Sequence, residues 1–229
     1  MSGSPHRLPP GQRAVVGFPR FGIDLHAPPP VTASEISIVV GGDVAEALVI
    51  SDALLGSLPR TAVDADLHCV AGWSATDLRW EGWRFDDVLN RLILPQTLEG
   101  ERIAFLVFIG ADGYRSIVTR EDAVRANVLL ADRLDGEPLT PEHGAPIRLV
   151  SPDQYGYINT KHLTRIELHV EQPEPIFHPR RSVQRALRAV HPHDRARVWQ
   201  EERHRYLPSW LTRPLYRLVV RLPAPRADH

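Results

Sequence analysis

The amino-acid sequence predicts an α+β chain that is mostly β. Three observations lead there. Short apolar runs such as Ile36–Val40, Ile103–Ile109 and Leu163–Val170 recur between turn-forming residues, which is the pattern of strands with at least one buried face. Helical patterns are brief and never alternate with strands in the sustained way that builds a parallel α/β sheet. Turn chemistry is frequent, with Gly41-Gly42-Asp43, Ala111-Asp112-Gly113 and Asp135-Gly136 each following an apolar run.

Taken in order, residues 1–30 are rich in Pro and Gly, end in Pro28-Pro29-Pro30 and read as an extended N-terminal arm. Ile36–Val40 and Val44–Ile50 form a hairpin around Gly41-Gly42-Asp43. Ser51 caps a short helix that stops at Pro59, where the missing N–H and the ring block further turns. Ala65–Val70 is a strand with Cys69 near its C-terminal end, and Phe85–Ile93 is a short amphipathic helix. Ile103–Ile109 turns through Ala111–Tyr114 into the strand Arg115–Val118. Thr119 caps a helix over 120–127, with Asp122 three residues on in a near capping box. Val128–Leu134, Ile147–Val150 and Leu163–Val170 complete the strands, and a polar Tyr/Gly loop runs through Lys161 between the last two. Pro173 and Pro175 mark a break. Residues 31–171 therefore make one domain and 172–229 a basic, partly helical extension, with helices expected at Ser182–Val190 and Arg195–Tyr206.

A chain of 229 residues, 43% hydrophobic and 24% charged, buries the core of one domain with appendages. Its net charge of −1 calls for neither nucleic acid nor an anionic membrane as a global partner. The charge is uneven, however: from Gln172 onward twelve Arg face five acids. No stretch approaches ~18 consecutive apolar residues and the N-terminus has no apolar leader, so the expectation is a cytoplasmic protein without a membrane span. Lys161 is the lone lysine among 27 basic residues. That bias follows base composition, but it makes the surviving lysine worth following.

Candidate chemistry starts at Cys69, the single cysteine, in Asp66-Leu-His-Cys-Val-Ala-Gly-Trp-Ser74. One thiol builds no internal disulfide, zinc knuckle or iron–sulfur site. It is either a buried small hydrophobe or one thiolate ligand to a soft metal carried mainly by a cofactor. His143-Gly-Ala-Pro-Ile-Arg148 and the loop from Ser151 to Lys161 place a His, an Arg and a Lys around exposed backbone N–H groups. That set suits a phosphate, or is a tight turn with solvated charges. None of the eleven histidines has zinc-protease spacing, and no nucleophile elbow or nucleotide loop is present.

In their order along the chain these features resemble the molybdopterin-binding domain of the sulfite oxidase family. The residues carrying the resemblance are Gly41-Gly42, Cys69–Ser74, Trp80-Glu-Gly-Trp-Arg-Phe-Asp-Asp-Val-Leu89, Asp112-Gly-Tyr114, Leu134-Asp-Gly-Glu-Pro-Leu139, His143–Arg148, Tyr155-Gly-Tyr157 and Lys161. Trp73-Ser74 stands where sulfite oxidases carry an Asn-Arg pair, which brings the chain closer to the methionine-sulfoxide reductase catalytic subunit. The resemblance implies mixed sheets with short helices and one molybdenum held by one pyranopterin dithiolene, with no haem. Cys69 would be the metal ligand and catalytic centre, with His143, Arg148, Asn159, Thr160 and Lys161 binding the cofactor. The resemblance extends to Phe18-Pro-Arg-Phe-Gly22 as a further cofactor contact. The implied activity is two-electron oxygen-atom transfer on a small sulfur or nitrogen compound in the reductive direction, fed by a separate electron-transfer partner. The alternatives are a sulfite-type dehydrogenase with a remodelled anion site, and a non-catalytic cofactor-binding module. In the tail, Val198, Trp199 and Tyr206 are expected to pack on the domain, leaving Arg197, Arg203 and Arg205 for an acidic partner.

Overall fold

The computed structural model describes residues 7–19, 28–31, 34–44, 48–97, 100–173 and 193–219. In chain order its elements are β1 (Arg13–Val15), β2 (Ser37–Gly42), β3 (Leu48–Ser51), α1 (Asp52–Leu55), β4 (Arg60–Asp64), β5 (Leu67–His68), β6 (Trp73–Ala75) and β7 (Arg79–Arg84). They continue with α2 (Phe85–Val88), which widens into a looser turn over Leu89–Ile93, then β8 (Phe105–Gly110), β9 (Arg115–Thr119), α3 (Arg120–Ala123) and β10 (Leu129–Leu134). The last are β11 (Glu137–Pro138), β12 (Arg148–Val150), β13 (Leu163–His169) and α4 (Ser209–Val219). The fold is mostly β with short helices, as the sequence predicts.

Three sheets share the work. One runs β3-β2-β13-β8-β9, with β13 parallel to β2 and antiparallel to β8. A second runs β11-β10-β7-β4, with β12 also on β10. A third, β1-β6-β5, is small and carries the cysteine turn at its end. The main core lies between the first two sheets, where Ile38, Ile50, Phe85, Phe108, Leu130 and Ile166 are all fully buried. A second apolar cluster holds Leu67, Cys69, Trp73, Trp80, Leu129 and Val150. The caps at Ser51 and Thr119 form as read, accepting from the N–H of Leu54 and Asp122.

Several expectations need correction. The arm is more than an extended lead: Arg13–Val15 pairs in parallel with Trp73–Ala75. Of Ala65–Val70 only Leu67–His68 is strand, because Cys69 opens a tight turn closed by Gly72 at φ +91°. Strands β4, β6 and β7 were not expected. β7 crosses the middle of its sheet at Gly82, where a Cβ would lie 2.0 Å from the Leu130 carbonyl oxygen, so only glycine permits that approach. Arg195–Tyr206 is not a helix. Ala196 and Glu201 both take positive φ, at +53° and +56°, and Arg197 bridges instead to Gln154. The helix of this segment lies later, in α4, behind Pro208. Ser182–Val190 falls outside the described residues, as does most of Phe18–Gly22 beyond Pro19.

Candidate active site

Cys69 sits at the end of β5 and is 8% exposed. Its N–H donates to the Trp73 carbonyl, and its own carbonyl accepts from the Gly72 N–H and from Gln12 Nε2 at 3.0 Å. Behind it the Ser74 hydroxyl donates to Gln12 and lies 2.8 Å from His68 Nδ1. The turn is thus held from both sides by its own hairpin and by the N-terminal strand. Burial pushes the Cys69 thiol up to about 11, opposed by the Ala71 N–H and by the positive field of Arg203. At neutral pH the thiol is protonated, and a metal ion would have to displace that proton to bind.

The loop 151–161 joins this turn to the second half of the site. At one end the Gly156 N–H donates to the His68 carbonyl at 2.7 Å, and a Cβ at Gly156 would stand 4.0 Å from the Cys69 Cα. At the other end the Asn159 carbonyl accepts from Arg148 Nη2 at 3.3 Å. The side chains of Asn159 and Thr160 are turned inward. Asn159 accepts from the Ser151 N–H and donates to the Tyr155 carbonyl, while the Thr160 hydroxyl lies 2.7 Å from Ser116 Oγ. Both groups hold the loop in shape.

Arg148 is 1% exposed and has no carboxylate partner among the described residues. Its guanidinium donates to the carbonyls of His143, Leu149 and Asn159 and lies 5.0 Å from the Trp80 ring centre and 5.9 Å from that of Phe18. Burial pulls it down to about 9, which still leaves it charged at neutral pH. A buried cation without an acid calls for an anion from outside the chain. Lys161 Nζ donates to the Glu142 carbonyl, and Gly144, at φ +105°, lets the Lys161 stem pass where a Cβ would come within 3.0 Å. His143 stacks on Phe18 at 4.7 Å. Its Nε2 lies 3.1 Å from the Phe18 carbonyl, so Nε2 carries the proton and Nδ1 accepts from the Thr140 hydroxyl. Burial, with Lys161 and Arg148 adding to it, keeps this ring below the ordinary histidine range and neutral. His143, Arg148, Asn159 and Lys161 are therefore one cluster.

Two residues were absent from the sequence-derived set. Tyr155 is fully buried and its hydroxyl has no hydrogen-bond partner among the described residues. Arg203 comes from the C-terminal segment and is 2% exposed. It donates to the carbonyls of Val70, Pro10 and Gly11 and lies 4.9 Å from the Tyr155 ring centre and 4.1 Å from that of Tyr216. Tyr155 was legible as part of Tyr155-Gly-Tyr157; Arg203 carried no signal, being one arginine of a basic tail. The tail arginines are not available as expected. Arg197 is bonded to Glu121 and Asp122, and Arg205 to Asp194. Val198 is buried as expected, whereas Trp199 and Tyr206 are 46% and 67% exposed.

The donor set fits a molybdenum–pterin group. A single soft thiolate suits a metal bound chiefly by cofactor sulfur, and no three His, Cys, Asp or Glu side chains among the described residues could hold one by themselves. The buried Arg148, acid-free among the described residues, suits a phosphate, and Tyr155, on the loop whose Gly156 bonds the residue before Cys69, has a phenol without a hydrogen-bond partner among those residues.

Residues 26–177 match the model of the oxidoreductase molybdopterin binding domain. The chain is 30% identical over 200 residues to the uncharacterized oxidoreductase YuiH of Bacillus subtilis (strain 168), covering 86% of this chain and 91% of that protein. It is 29% identical over 180 residues to the protein-methionine-sulfoxide reductase catalytic subunit MsrP of Xanthomonas axonopodis pv. citri (strain 306). That match covers 70% of this chain and 54% of MsrP, so this chain spans about half of that relative. The sulfane dehydrogenase SoxCD of Paracoccus pantotrophus shares the fold with a TM-score of 0.53 at 21% identity, over 62% of this chain and 40% of that one. No helix among the described residues is long and apolar enough to cross a membrane.

Proposed function

Because the chain belongs to the oxidoreductase molybdopterin-binding family, we propose that it takes an oxygen atom from a small sulfur- or nitrogen-containing substrate and delivers two electrons to it, with Cys69 as the protein ligand of the metal. One molybdenum on one pyranopterin, without haem, would supply the two-electron couple and accept the oxygen atom. The observation that carries the reading is the lone thiol of Cys69 in a turn bonded by Arg203, a buried cation without a carboxylate partner among the described residues, and joined through Gly156 to Tyr155, whose hydroxyl has no partner among them.

The chain's own residues divide the work. His143, Arg148 and Lys161 hold the pterin end, Arg148 and Lys161 as cations for the phosphate and His143 as a neutral ring stacked on Phe18 that shapes the wall. Asn159 and Thr160 act through the loop they hold in shape, presenting its main chain. The Cys69–Gly72 turn fixes the thiolate, with Gln12 and Ser74 bracing it. Tyr155 and Arg203 lie where a polar substrate oxygen would approach, one as a donor and the other as a positive charge. Electrons come from a separate donor. Action in the cytoplasm is part of this proposal, since a lone thiol kept for a metal suits a reducing compartment; cell fractionation checks it.

Cys69→Ser is the decisive test. It should lower turnover more than about a hundredfold, because even outer partners of a metal ligand are worth ~10–100-fold. The fold, followed by circular dichroism and unfolding temperature, should persist. Wild-type turnover in that variant would remove Cys69 from the metal.

One observation favours a second reading. Arg203 gives the site a buried cation that the residues after Cys69 do not provide. Oxidation of a small sulfur oxyanion is therefore the runner-up, and assays in both directions with sulfoxide and sulfite substrates separate the two.

A further inference from the structure

Helix α4 is mounted inside out. Its polar side meets the body, with Thr212 at 7% exposure and Arg213 paired to Glu201. Trp210, Leu211, Leu215 and Leu218 are instead 70%, 51%, 60% and 59% exposed. At helical spacing these four, with Pro214 between them, share one side of the helix and make a continuous apolar stripe in water. A helix of a globular domain ordinarily turns that stripe to the core. Arg205 and Arg213 are neutralised by Asp194 and Glu201, but the sequence then runs through Arg217, Arg221 and Arg226 without an Asp or Glu before Asp228. Tyr206, 67% exposed, leads into it.

We propose that α4 is a membrane-surface anchor, lying in the plane of an anionic bilayer with Trp210, Leu211, Leu215 and Leu218 in the headgroup boundary. A short helix with Trp and Leu on one side and arginine as its only charged residue is the composition of an interfacial helix. The basic flanks are drawn to acidic headgroups, which also sets the orientation. The proposal is independent of the oxygen-transfer reading, since it uses no residue of the cofactor site.

The test uses the full chain and vesicle co-sedimentation. Phosphatidylcholine vesicles with added phosphatidylglycerol should bind the protein at low salt, with binding falling as ionic strength rises. Pure phosphatidylcholine should bind it far less. Leu215→Ser with Leu218→Ser should weaken partition at least about tenfold, and Trp210→Ser should weaken it separately. All these variants should keep the wild-type unfolding temperature and molybdenum content. Failure of the wild type to bind acidic vesicles, or equal binding by the variants, overturns the proposal. A concentration-dependent dimer that the leucine variant abolishes also overturns it, by showing that a second copy covers the stripe.

Discussion

Arg148 and Arg203 mark two regions of the molecule that look alike and are built differently. Both guanidiniums are buried, both donate to main-chain carbonyls, both lie over two aromatic rings, and neither meets a carboxylate among the described residues. Arg148 is local: its partners at His143 and Asn159 lie five and eleven residues away. Arg203 is remote: its partners at Val70 and Gly11 lie 133 and 192 residues away. The surface arginines behave otherwise, with Arg197, Arg205 and Arg213 each given an acid by the chain. Where an arginine only ties the surface together, the chain supplies the counter-charge. Where it faces the site, the chain withholds it. The proposed pterin end thus lies within one short stretch, and the proposed substrate end is assembled from distant segments.

Substituting each arginine separates the two regions. Arg148→Gln should give the larger effect, lowering pterin and molybdenum content by about tenfold or more, since a charge-assisted phosphate contact contributes ~1.5–3 kcal/mol. Metal and pterin per chain are the measurement, and unchanged content would place the phosphate elsewhere. Arg203→Gln should leave that content at wild type while lowering kcat/KM by roughly tenfold, the scale of one lost ion contact. If it empties the site instead, the two regions are one and the comparison fails. The smallest effect concerns His143. Its folded value lies below its ordinary 6.5, chiefly through burial, so the unfolded ring takes up its proton first as pH falls. The stabilisation is therefore complete above the unfolded value and is lost as pH falls through the folded one. Thermal unfolding of wild type should drop on mild acidification, and His143→Gln should flatten that drop in part. Part of the slope should remain, because His162 is lowered by burial in the same direction. An identical pH slope in the variant would remove His143 from the account.

The two main sheets were unequally legible. β2, β3, β8, β9 and β13 announce themselves as apolar runs between turns, because nearly all their stability comes from side chains packed on one core. β4 and β7 do not. β4 alternates only weakly, and β7 is interrupted by the glycine that its neighbour requires. The site divides the same way. Cys69, His143, Arg148, Asn159, Thr160 and Lys161 lie in motifs whose order marks the family, and the structure gathers His143, Arg148, Asn159 and Lys161 around one turn and joins them to Cys69 by one loop. Arg203 and Gln12 were not legible, since each reaches the cysteine turn by a tertiary contact that no spacing encodes. In the tail, the positive φ at Ala196 and Glu201 overrode a helical pattern, and Pro214 concealed a real helix.

The contact of Arg203 with Val70 and Gly11 has a consequence for biosynthesis. A ribosome delivers the cysteine turn and its flanking loop long before it delivers residue 203. Closing so long a stretch of chain is entropically slow, so during synthesis the thiol stands uncovered. Once the last segment docks, uncovering the cysteine turn again requires that segment to lift, so the final shape of this turn is set by one of the last parts of the chain to be made.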